Sequence, residues 1–144
     1  MKFLLAVSFS LFATASMACT DFSGSYRDDE AGDFTYQQSG CESITRIGAG
    51  TSETVITDGK ERVISDDEVV RIRATASFVG ETLTIVSAIE YKVALPPEVP
   101  VEMIPVRADA VHTKSPNGDI IQSVTPYNAN GQSLGTQTSV QHKL

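Results

Sequence analysis

The chain has no tryptophan, two cysteines and two histidines, and aromatic residues make up only 7% of it. So few ligating side chains leave little for a metal centre. His112 and His142 stand outside any His-x-x-x-His or Cys-x-x-Cys spacing, and both read as surface or ladder histidines. The acidic groups Asp28-Asp29-Glu30 and Asp66-Asp67-Glu68 lack the alternating Asp-x-Asp-x-Asp-Gly order that wraps calcium, and read as solvated turns. No catalytic motif, metal cluster or nucleotide loop stands out, so the chain is expected to be a non-enzyme without cofactor or metal. Asn-x-Ser/Thr sequons are missing as well.

Long hydrophobic runs are also missing, apart from one. Lys2 precedes the apolar stretch from Phe3 to Ala13, and small residues lead to Ser16-Met17-Ala18. That order of charge, short apolar segment and small residues marks a secretory signal. At about a dozen residues the run is too short for a span, which needs about 20. Residues 1–18 are therefore expected to be a cleaved signal peptide and 19–144 a single extracytoplasmic domain, periplasmic or secreted, that is not transmembrane after cleavage. Whole, the chain carries −7; without Lys2 the exported part has the same 18 acidic groups and one basic group fewer. Such a balance repels phosphate backbones and anionic lipid, which excludes nucleic acid as an expected partner.

The two cysteines, Cys19 and Cys41, would meet an oxidising compartment and are expected to pair, stabilising the fold by roughly 3 kcal/mol. The competing expectation is a lipid anchor on Cys19, the first residue after the signal. Against it, Ser16 stands where lipoprotein signals favour leucine, and Cys41 would be left as an odd thiol.

From residue 22 onward the apolar residues recur with a period of two. Val70, Ile72, Ala74, Ala76 and Phe78 share one face, while Arg71, Arg73, Thr75 and Ser77 share the other. Leu83 to Val93 repeats the alternation after Gly80-Glu81, so the two runs are expected to form a long antiparallel hairpin. Asp58-Gly59 is the strongest turn signal, in the pattern of a type I′ hairpin joining 54–57 to 60–64. Seven such breaks imply eight to ten short strands, hence a closed meander barrel or a sandwich. The segment from Pro96 to Pro105, with prolines also at 97 and 100, is expected to be an extended loop, or a lid over a barrel mouth. Arg46, Arg62, Arg71 and Arg73 are expected on the solvated face, paired with residues such as Glu61 or Glu90; turned inward, they would line a lumen able to hold a carboxylate.

Asp21-Phe22-Ser23-Gly24-Ser25-Tyr26 resembles the first-strand Gly-x-Trp signature of lipocalins and their calycin relatives, with Tyr26 in the tryptophan's place. The run from Ala76 to Ile85 resembles the mid-barrel hairpin of small secreted bacterial proteins of that type. The resemblance implies an all-β, antiparallel up-and-down barrel, closed at one end by its N-terminal segment. A barrel of that size holds one small ligand or is filled by its own side chains. The candidate lumen is Val70, Ile72, Ala74, Ala76, Phe78, Leu83 and Ile85. The leading functional expectation is a non-enzymatic binding module for a small apolar molecule. The alternative is an envelope or secreted interaction protein, an inhibitor or assembly factor, with a filled barrel that works through its loops.

Overall fold

The computed structural model describes residues 18–144, so the expected signal peptide lies, apart from Ala18, outside the described residues. Ten strands follow in order: β1 (Gly24–Asp28), β2 (Gly32–Ser39), β3 (Ser43–Gly48), β4 (Thr51–Ile56), β5 (Arg62–Asp66), β6 (Val70–Val79), β7 (Thr82–Tyr91), β8 (Arg107–Lys114), β9 (Ile120–Tyr127) and β10 (Gln137–Lys143). A single 3-10 turn, Val101–Met103, interrupts them. Every ladder is antiparallel, and the spatial order is β4-β3-β2-β1-β10-β9-β8-β7-β6-β5. The chain thus runs up and down, and its last strand returns to pair with its first through Tyr26↔Lys143 and Arg27↔His142. This sheet curls into a half-barrel whose two edges, β4 and β5, are consecutive in the chain.

The β6–β7 hairpin forms as its alternation requires, with unbroken pairing from Val70↔Tyr91 to Val79↔Thr82. Its apolar face turns to the interior, where Ala74, Ala76 and Leu83 are buried. Its arginines face outward. Arg71 meets Asp66 at 3.2 Å and Glu90 at 4.0 Å, and Arg73 meets Glu61 at 3.3 Å.

The Asp58-Gly59 expectation fails. A type I′ turn needs positive φ at both central residues; Gly59 has φ 74°, but Asp58 is not in that region. The Asp58 carboxylate instead accepts from the Lys60 N–H and from both terminal nitrogens of Arg62. Asp58 and Gly59 then continue along β6, bridging Ser77 and donating to the Ala76 carbonyl at 2.9 Å. A two-residue hairpin with positive φ at both positions occurs at Ala49-Gly50, between β3 and β4.

A small aromatic-rich core lies against β1, β2, β3, β7 and β9. Phe22, Tyr26, Phe34, Ile44, Leu83 and Ile120 are buried together, with Tyr36, Phe78 and Ile85 packed on them. Tyr26 is fully inaccessible, and its hydroxyl donates to the Phe22 carbonyl at 2.9 Å. That bond folds residues 20–23 across one end of the half-barrel. Cys19 and Cys41 form a disulfide that ties this N-terminal segment to the β2–β3 turn. The Cys19 sulfur that a lipid thioether would need is therefore taken up, and the bond fits an oxidising, extracytoplasmic location.

Candidate functional site

Strand register decides which polar side chains reach the concave face. Phe34, Tyr36 and Gln38 on β2 stand opposite Gly48, Arg46 and Ile44 on β3, which in turn oppose Thr51, Glu53 and Val55 on β4. Arg46 therefore points inward, unlike Arg71 and Arg73, with which the sequence grouped it; Arg62, opposite Ala74, is held at the β5 edge by Asp58. The missing side chain of Gly48 makes room for Phe34, because a Cβ there would lie 2.7 Å from the Phe34 Cβ. Arg46 lies over the Phe34 ring, 4.3 Å from its centroid.

Beside this pair is a cavity of about 100 Å3 lined by Phe22, Tyr36, Ile44, Arg46, Glu53, Val55, Leu83, Ile85, His112 and Ile120. Of the seven candidate lumen residues, only Leu83 and Ile85 line it. Ala74 and Ala76 are buried away from it, Phe78 packs on the core with its ring 6.2 Å from that of Phe22, and Val70 and Ile72 are half-buried. A wider cleft of about 600 Å3 separates the β1–β2 turn from β9 and β10, but Asp28, Asp29, Glu30, Gln122 and Gln137 make it polar. Asp28 there is engaged in capping the Glu30 and Ala31 N–H groups.

His112 is the polar group set deepest in the cavity wall. It pairs with Leu83 on β7 and Gln122 on β9 and is only 7% exposed. Its Nδ1 has no hydrogen-bond partner, and neither has Oε1 of the nearby Gln141, whose Nε2 donates to Gln122 Oε1 at 3.1 Å. Burial pushes the His112 pKa down to about 4, while a Leu83 backbone hydrogen bond acts the other way. The ring is thus neutral near pH 7. Unfolding would restore its ordinary value of 6.5. The buried neutral ring therefore contributes stability that is complete above pH 6.5 and lost as the pH falls through 4, about 3 kcal/mol in all. Urea unfolding at pH 7 and at pH 4 should show that loss, and His112→Leu should remove most of it.

His142, by contrast, is exposed and lies 3.3 Å from Asp119. Among the described residues no three His, Cys, Asp or Glu side chains are grouped to hold a metal. Gly131-Gln132-Ser133-Leu134-Gly135 carries Gly-x-Ser-x-Gly spacing. It lies in the β9–β10 connection instead of a strand-to-helix elbow, and the Ser133 Oγ accepts from the Gly135 N–H at 3.2 Å.

The Pro-rich segment connects β7 to β8 at the end of the half-barrel away from the disulfide. The Tyr91 hydroxyl donates to the Pro105 carbonyl at 3.1 Å and Asn128 Nδ2 to the Glu102 carbonyl at 2.9 Å. Val101 and Met103 remain 75% and 62% exposed. No helix among the described residues is long and apolar enough to cross a membrane. No family model, no curated protein and no solved structure matches the chain.

Proposed function

We propose that this protein is an exported, non-enzymatic binding module of lipocalin-like build that holds a small, largely apolar ligand against the concave face. The observation that carries this reading is the cavity of about 100 Å3, walled by Phe22, Ile44, Val55, Leu83, Ile85 and Ile120. A cavity of that volume admits only a small ligand. A dry cavity of about 150 Å3 holds benzene, and a single ring sets the scale here. The interaction-protein alternative draws on the exposed Val101 and Met103 of the Pro-rich loop, where a partner would find apolar anchors.

Saturation-transfer NMR with toluene tests the reading. Wild type is expected to transfer magnetisation to toluene at millimolar concentration, and Val55→Phe, which fills the cavity from an edge strand, is expected to abolish it. Absence of transfer to wild type would leave the loop-mediated partner as the better account.

A further inference from the structure

β1 covers only one end of β10. The two strands pair through Tyr26↔Lys143 and Arg27↔His142, and the Leu144 N–H donates to the Ser25 carbonyl at 3.0 Å. At Asp28 the chain then turns away into β2, while β10 extends past that turn by residues 137–140. These residues pair with β9 on one side, from Gln137↔Val124 to Val140↔Ile121, and among the described residues no strand pairs with them on the other. That open side borders the polar cleft of about 600 Å3. In an antiparallel ladder alternate residues turn their N–H and C=O toward the same neighbour. Counting back from Leu144, the groups that face the cleft belong to Val140 and Thr138. Such an edge is a template for another strand, and proline, lysine or a bulge is the usual protection. β5 has a register shift between Val63 and Ser65, whereas residues 137–140 have none of the three.

The side chains around the opening set the chemistry of the added strand. Asp28, Asp29 and Glu30 stand at its β1 end, and no lysine or arginine lines the cleft. Asp28 is engaged in capping its own turn, but neither Asp29 nor Glu30 is ion-paired among the described residues. On the outer face Val140 lies opposite Ile121, and the two are 38% and 36% exposed. A β-branched residue opposite Val140 would continue that apolar row.

We propose that residues 137–140 are a docking edge for an extended segment of a partner protein, added antiparallel to β10 in the line that β1 vacates. The segment carries a lysine or arginine at its N-terminal end, against Asp29 and Glu30, followed by a β-branched apolar residue opposite Val140. Main-chain hydrogen bonds hold such a strand and the flanking side chains select it.

Titrating 15N-labelled oxidised protein at low salt with the peptide acetyl-Lys-Val-Thr-Val-Thr-amide tests this. The amide signals of Thr138 and Val140 should shift together and saturate at millimolar peptide. Methylating the backbone nitrogens of the two valines, which face β10, should abolish binding, and methylating those of the threonines, which face away, should spare it. Asp29→Asn combined with Glu30→Gln, both on an exposed turn, should weaken binding about fivefold. Equal binding by the valine-methylated peptide or by that double variant would overturn the proposal, as would unmoved Thr138 and Val140 signals at millimolar peptide. Shifts of the same two signals with protein concentration alone would make the occupant a second copy of this chain, and would overturn it too.

Discussion

Tyr26→Ala is expected to unfold the domain or lower its stability by about 3–5 kcal/mol, the range for deleting a buried aromatic side chain. The ring is fully inaccessible and lies 6.0 Å from that of Phe34 and 5.8 Å from that of Tyr36. Because the buried cluster is small, no neighbouring layer can collapse into the space. The hydroxyl also holds the Phe22 carbonyl, so Tyr26→Phe separates the two roles. It keeps the ring and should cost about 1–2 kcal/mol through the unsatisfied carbonyl. Guanidinium unfolding monitored by circular dichroism measures both. A Tyr26→Ala variant as stable as wild type would show that the aromatic cluster is not the core.

Phe78→Asp should be nearly as damaging, because a carboxylate placed against the Phe22 ring has no cationic partner there and costs several kcal/mol. Arg73→Ala, five residues earlier on the same strand but on its opposite face, should fall within the scatter of surface substitutions, about 0.5 kcal/mol. Its guanidinium and the Glu61 carboxylate are both substantially exposed, and such pairs contribute little. Equal losses from the two substitutions, read from their urea midpoints, would invert the assignment of the two faces of β6.

The contrast between these neighbours was legible in the sequence, because a half-buried strand writes its two faces as strict alternation, and β6 and β7 do so over ten residues each. Strand number followed from turn residues, which left barrel and sandwich open; the up-and-down order was what the lipocalin resemblance implied, and the disulfide followed from compartment and cysteine count. Register between strands was less legible. Arg46 occupies a polar-looking segment, Thr45-Arg46-Ile47, and only its pairing with Tyr36 and Glu53 turns it inward. Asp58-Gly59 has hairpin chemistry, but the Asp58 carboxylate is captured by Arg62, and the edge of β6 offers the backbone of both residues another partner. His112 gave no sequence signal beyond its place in an apolar run. Its orphaned nitrogen arises from β7 and β9 closing over it, which is tertiary information. The two alanines of β6 suggested a lumen beside them; the space formed instead one side over, between β3, β4, β7 and β8.

The measurement that tests this account most directly is a methyl-resolved NMR titration of the oxidised protein with toluene, with the signals of Ile44, Val55, Leu83, Ile85 and Ile120 assigned. Those five should shift together along one saturable curve, while Val101 and Met103 in the Pro-rich loop and Val63 on β5 stay in place. Shifts confined to the loop or the β5 edge, with the five cavity methyls unmoved, would contradict it.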